Sequence, residues 1–243
     1  MGSSFASTRW SQVLAAGSAD QAAASAALAW LCERQWEPLR RAARRWGVPA
    51  DQAEDVVQDF CCRLVERRAD LGGLDPAGGR FRAWLITVFR RFIKDQRVRR
   101  EAVVHGGGVR HQDAASAEVA GPAEDPDFDR DWAEVILAQA QARLAAEQPD
   151  AAARERTRRL AEFLVRNAEP GDYARVGSDL GLGEGAVKVA VHRLRQRFAE
   201  LVRQEIRETL ADPSPRAIDD ELNALVATFS SSRPVTGRSP LPG

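Results

Sequence analysis

DYARVGSDLGLGEGAVKVAVHRLRQRFAELVR, residues 172–203, decides how the rest of the chain is read. Asp172 is placed to cap a helix over about Tyr173 to Leu180, and Gly181, Leu182 and Gly183 supply a tight turn into a second helix. Gly177 is small where two such helices approach. In the second helix Val187, Ala190, Val191, Leu194, Phe198 and Leu201 recur at helical spacing and draw one inward stripe. At 100° per residue the opposite face holds Gly185, Val189, His192 and Gln196, flanked by Lys188 and Arg193. Such a helix-turn-helix suits a DNA major groove: Lys188, Arg193, Arg195 and Arg197 can neutralise phosphates, while Val189 and His192 can reach base edges. A solvated basic helix in a bundle is the plainer reading of the same residues.

Outward from this stretch the chain reads as all α. Alternation of β-branched residues never persists, and Ala, Leu, Arg and Glu fill segments of helical period. Ser7 or Thr8 caps a short helix with Trp10, Val13 and Leu14. Asp20 caps a longer one with Ala24, Leu28, Leu31, Gln35 and Leu39 on one side, kinked at Pro38. Pro49 opens a helix reaching about Arg68, with Ala53, Val57, Phe60 and Leu64 inward and Glu54, Asp55, Gln58 and Asp59 outward. Acids at a helix amino end are favoured by the macrodipole, and they also suit a partner surface; the residues alone leave both open.

After a Gly- and Pro-bearing loop over residues 69–79, a helix from about Arg80 carries the stripe Phe81, Leu85, Val88 and Phe92, with Trp84 at its edge. Arg90, Lys94 and Arg97 lie opposite with Ile86 and Ile93 between them, a mix of cations and apolar groups that suits single-strand or distorted DNA; a solvated face with core residues miscounted is the alternative. Residues 101–127, acidic and rich in Gly, Ala and Pro, read as a flexible linker. Beyond it come a helix over about Phe128 to Glu147 with Trp132, Ile136, Ala140 and Leu144 inward, and a helix with Leu160, Phe163 and Leu164. Past the helix-turn-helix a short amphipathic helix carries Ile218, Leu222, Leu225, Val226 and Phe229, followed by a disordered tail from Ser230.

Formal net charge is zero, yet the charges are segregated: residues 80–100 hold eight cations and one acid, and residues 101–131 hold eight acids against Arg110 and Arg130. Local fields therefore matter more than the total. No run of about eighteen apolar residues and no signal peptide appears, so a cytoplasmic protein without a membrane span is expected. Cys32, Cys61 and Cys62 have neither zinc nor disulfide spacing and read as small buried thiols. His105 and His111 flank three glycines with no pattern to complete a metal site. Without a phosphate loop or a nucleophile elbow, no enzyme activity, metal or cofactor is expected.

Ala53–Arg63 (AEDVVQDFCCR), Gly79–Leu85 (GRFRAWL), Asp95–Arg100 (DQRVRR) and Leu180–Phe198 (LGLGEGAVKVAVHRLRQRF) stand in an order that resembles a bacterial sigma-70 family factor of the extracytoplasmic-function type. The resemblance covers most of residues 8–207. It implies a sigma-2-like helical domain over residues 8–100, the linker over 101–127, a sigma-4-like domain over 128–210 and a C-terminal extension over 211–243. It further implies a subunit that directs core RNA polymerase to promoters and assists melting. Asp55, Gln58 and Asp59 then correspond to the surface docking on the clamp helices of the largest polymerase subunit. Arg82, Trp84, Arg90, Arg91, Lys94 and Arg97 correspond to the minus 10 and melting segment, and Lys188, Val189, His192, Arg193, Arg195 and Arg197 to the minus 35 helix. Promoter DNA, core polymerase and an anti-sigma factor or other regulatory protein are the partners implied. The rival reading is a stand-alone helix-turn-helix repressor or activator with an N-terminal sensor or dimerisation domain, which would protect a palindrome unaided.

Overall fold

A computed structural model describes residues 21–66, 81–104 and 125–230. These residues form α1 (Gln21–Arg34), α2 (Trp36–Arg45), α3 (Ala53–Glu66), α4 (Phe81–Val104), α5 (Pro126–Ala146), α6 (Ala151–Leu160), α7 (Glu162–Val165), α8 (Asp172–Leu180), α9 (Glu184–Glu208) and α10 (Pro215–Ser230), with no strand among them. The fold is all α, as the periodicity predicts. The helix expected at Trp10, its cap, Asp20, the loop over 69–79, His105, His111 and the tail past Ser230 lie outside the described residues.

Local chemistry sets most boundaries. Asp125 caps α5 by accepting from Phe128 N at 2.9 Å, with Pro126 in the first turn, and Asp150 caps α6 by accepting from Ala153 N at 2.7 Å. The kink expected at Pro38 is a full break at Gln35. Proline has no N–H to offer the Arg34 carbonyl and its ring clashes there, so α1 ends at Arg34 and α2 begins at Trp36. The expected linker also begins late, because α4 runs on to Val104.

Two apolar clusters result. The larger joins α1 to α5 with the second half of α9 and α10; its largest buried side chains include Trp132, Phe60, Phe81, Phe89 and Phe128. Phe81 and Phe128 both meet Trp132, at ring-centre distances of 5.9 and 6.0 Å. This cluster runs straight across the segment that the sequence marks as a linker. The smaller cluster, Leu160, Phe163, Val176, Val187 and Val191, holds α6 to α8 on the first half of α9.

Charges follow the same division. Asp131 on α5 receives Arg41 at 2.9 Å and Arg45 at 2.6 Å from α2. Glu205 on α9, 3% exposed, receives Arg143 from α5 at 2.9 Å and Arg34 from α1. A buried carboxylate needs such partners, since an unpaired one loses far more to desolvation than packing returns.

Two expectations about burial change. Ile86 and Ile93, placed on the outer face of α4, are 2% and 4% exposed, and Phe89 beside them is fully buried. The cause is that α4 touches α2, α3 and α5, so its apolar surface is wider than one stripe; Val98 is a large apolar residue that it leaves in solvent. Of the three free cysteines Cys32 is buried and Cys61 partly so, but Cys62 is exposed, since it falls one residue past the α3 stripe.

Candidate nucleic-acid and polymerase interface

The helix-turn-helix is built from α8, the turn at residues 181–183 and α9. Gly181 takes a left-handed conformation at φ +64° and ends α8, and Leu182 N donates to Gly177 O at 2.8 Å to close the turn. A Cβ on Gly177 would stand 2.6 Å from the Leu182 carbonyl oxygen, so the close approach needs glycine. Asp172 is the first residue of α8 rather than its cap, a place taken by Gly171 at φ +90°. Its carboxylate instead accepts from Glu169 N at 2.9 Å and from Arg166 at 2.6 Å. Arg166 and that amide hold Asp172 down to about 2.

Along α9 the expected inward stripe is confirmed: Val187, Val191 and Leu201 are buried, and Ala190, Leu194 and Phe198 are partly so. Gly185, Lys188, Val189, His192, Arg193 and Gln196 are exposed. Lys188 is tethered to Glu184 at 2.7 Å, which also raises its pKa. Arg193 has no ion pair among the described residues. Two residues assigned to this face have structural work instead. Arg195 is half-buried and donates to Phe163 O at 2.8 Å and Arg166 O at 3.0 Å, satisfying carbonyls at the end of α7. Arg197 pairs with Glu147 at 2.6 Å and Glu200 at 2.7 Å, tying α9 to the end of α5.

On α4 the six assigned residues do not share one surface. Arg90, Lys94 and Arg97 line an open groove with Trp46, Ile93 and Val98. Arg90 lies 4.7 Å over the Trp46 ring and pairs with Asp125 at 3.0 Å; Arg97 donates to the Trp46 carbonyl. Trp84 and Arg91 are half-buried. Arg82 is 7% exposed and turned away from solvent, pairing with Glu221 of α10 at 3.0 Å and with Asp129 of α5. Burial works against its charge, but those two carboxylates more than offset it and leave the guanidinium harder to deprotonate than usual. Trp46, like Val98, is a member of the groove that the sequence reading did not single out. It ends α2, off any periodic stripe, and only folding brings it to α4.

On α3, Glu54, Asp55, Gln58 and Asp59 form an exposed acidic face, and no ion pair reaches Asp55 or Asp59 among the described residues. Opposite them Ala53, Val56, Val57, Phe60 and Leu64 are buried, so the acids are held outward by the core behind them. Among the described residues no cluster of His, Cys, Asp and Glu could hold a metal ion, and no helix is long and apolar enough to cross a membrane.

The described residues thus form an all-helical body in which α3 exposes an acidic face and α4 lines a basic groove with Trp46. Residues 34–103, spanning α2 to α4, match the family model of sigma-70 region 2. This segment is therefore similar to region 2 of the sigma-70 factors, a domain that serves in transcription initiation and binds core RNA polymerase. No curated protein and no solved structure matches the chain. The matched segment contains Asp55, Gln58, Asp59 and the whole α4 groove; the helix-turn-helix lies beyond it.

Proposed function

We propose that this chain is a promoter-specificity subunit of the extracytoplasmic-function type, with a sigma-2-like domain over residues 8–100, a linker over 101–127 and a sigma-4-like domain over 128–210. The observation that carries the reading is the coincidence of the region 2 match with an exposed acidic face on α3 and a basic groove on α4. Asp55, Gln58 and Asp59 dock on the clamp helices of the largest polymerase subunit. Arg90, Lys94 and Arg97 follow the backbone of the minus 10 strand around Trp46, with Trp84 and Arg91 behind them. Unstacking a base step costs a few kcal/mol. One base stacked on an aromatic ring returns about 1 to 3 kcal/mol, and neutralised phosphates add to it.

The minus 35 element is read by the exposed face of α9. Lys188 and Arg193 contact phosphates, Val189 packs on a thymine methyl group and His192 reaches a base edge. Arg195 and Arg197 support this helix from behind. The protein works in the cytoplasm without a cofactor, and an anti-sigma or other regulatory partner belongs to the reading through the resemblance alone.

The test is reconstitution with purified core polymerase. Core should co-purify with the chain and start transcripts at discrete sites, and the Lys188→Ala/Arg193→Ala variant should lose most of that activity. If the free chain protects a palindrome and ignores core, the repressor reading replaces this one.

A further inference from the structure

Cys32 of α1 and Cys61 of α3 are 29 residues apart in sequence, yet folding sets their thiols side by side. Cys32 is 1% exposed within the large apolar cluster, and Cys61, half-buried, packs against that cluster from α3. The two side chains share a hydrogen bond in which the Cys32 S–H donates and the Cys61 sulfur accepts. That bond, with burial, pushes the Cys32 thiol well up, and it draws the Cys61 thiol down although burial opposes it. One sulfur is thus held as the proton donor, and its neighbour is the readier thiolate, at the edge of the core where a small solute reaches it. Cys62 is placed differently. It is turned about 100° from Cys61 along α3 and is exposed on the side that bears Asp55 and Asp59.

A single buried cysteine packs as a small apolar group and needs no further role. Two thiols in contact across two helices have a chemistry of their own. A disulfide requires sulfurs about 2.05 Å apart and Cα atoms about 4.4 to 6.8 Å apart. Hydrogen-bonded thiols on helices in direct contact, as α1 and α3 are, reach that geometry by side-chain rotation and a small shift. Cys61 and Cys62 do not, because adjacent residues on one helix point apart. In a compartment kept reducing by glutathione such a pair rests as two thiols, and bridges that form there are transient and redox-sensing.

We propose that Cys32 and Cys61 form a redox-active dithiol whose oxidising substrate is a hydroperoxide, and that the resulting disulfide pins α1 to α3. The Cys61 thiolate attacks one oxygen of hydrogen peroxide. The S–O bond forms, the O–O bond breaks, and the departing hydroxide takes the Cys32 proton and leaves as water. The Cys32 thiolate then attacks the sulfur of the Cys61 sulfenic acid. The S–S bond forms, the S–O bond breaks, and the second hydroxide leaves as water with the proton that Cys61 first gave up. The two sulfurs together lose two electrons, which the peroxide gains. Cys32 precedes residues 34–103 and Cys61 lies within them, so the bridge ties a helix that begins outside the matched segment to the helix presenting Asp55, Gln58 and Asp59. The dithiol stands independently of the promoter reading.

The test treats the full chain with a small excess of hydrogen peroxide, alkylates it with iodoacetamide and maps its peptides by mass spectrometry. The wild type should lose two hydrogen atoms, join Cys32 to Cys61 and keep Cys62 as the alkylated thiol, and dithiothreitol should restore all three thiols. A Cys62→Ser chain should bridge in the same way. Cys32→Ala, which lacks the resolving thiol, should accumulate a sulfenic acid on Cys61 that dimedone labels. If that chain loses helicity by circular dichroism, brief exposure of the wild type to peroxide and dimedone carries the same assignment. Amide hydrogen exchange in α1 should slow at least about tenfold in the bridged chain, since the bridge closes a loop of about 30 residues in the unfolded state. A bridge through Cys62, dimedone on Cys62 in place of Cys61, or three thiols still open to alkylation overturns the dithiol. Unchanged exchange in a bridged chain overturns the pinning of α1.

Discussion

The same substitution, glycine to alanine, should have opposite signs at two positions eight residues apart in the helix-turn-helix. At Gly177 the added methyl group would sit 2.6 Å from the Leu182 carbonyl oxygen and 3.4 Å from Val187 Cγ2, and the nearer obstacle is backbone, which cannot rotate away. Overpacking of this kind costs about 1 to 3 kcal/mol. Pushing Leu182 outward also stretches its 2.8 Å bond to Gly177 O, which is worth about 0.5 to 1.5 kcal/mol. Against this, alanine gains about 0.5 to 1 kcal/mol over glycine inside a helix. The net is a loss of about 2 kcal/mol, confined to the small cluster around Val176, Val187 and Val191. At Gly185, in the first turn of α9, nothing lies within 4 Å of the added carbon. Only the helix term remains, a gain of about 0.5 kcal/mol. Amide hydrogen exchange reads both: the α8 and early α9 amides should lose about 30-fold in protection in Gly177→Ala and gain about twofold in Gly185→Ala. Equal signs would refute the argument, because helix propensity would then outweigh the contact that defines the turn.

Other expectations concern the same helices. Arg195→Ala should destabilise the helix-turn-helix by about 1.5 to 3 kcal/mol in chemical denaturation, since it strips charged donors from two carbonyls. Arg193→Ala should leave stability within about 0.5 kcal/mol but lower duplex affinity and flatten its salt dependence by about one counterion. The Asp172 carboxyl should titrate near 2 by NMR, below its ordinary 3.8. Because that value is depressed, its support of α8 is complete above about 4, is lost as pH falls toward 2, and a midpoint near 3.8 would show that Arg166 does not hold it. Cys62 should react first with a maleimide under native conditions, and Cys32 last, being buried and held protonated by its hydrogen bond with Cys61. Simultaneous labelling of all three would contradict the packing of α1 on α3.

What could be read from sequence was what repeats within a helix turn. The stripe from Val187 to Leu201, the glycines that close the turn and the outward acids of α3 all follow from local spacing, and the structure has them as expected. What could not be read depends on which helix lies next to which. Ile86 and Ile93 looked solvent-facing because a single stripe was assumed, whereas α4 meets three helices. Arg195 and Arg193 are two residues apart and alike in composition, yet only one faces the carbonyls of α7, 32 residues away. Arg82 belongs to a motif that resembles a DNA-binding segment, and nothing near it announces Glu221.

The 25 residues of α9 span about 37 Å without interruption. Its first half is gripped by the small cluster through Val187 and Val191, its second half by the large one through Leu201, Val202 and Ile206. Such a rod is a lever. A tilt of about 10° at the end bearing Val189 sweeps the Ile206 end through about 4 Å, more displacement than a close-packed interior absorbs. The exposed face bearing Val189 and the seat beneath α10 must therefore move as one piece, and the angle at which the first settles dictates where the second comes to rest.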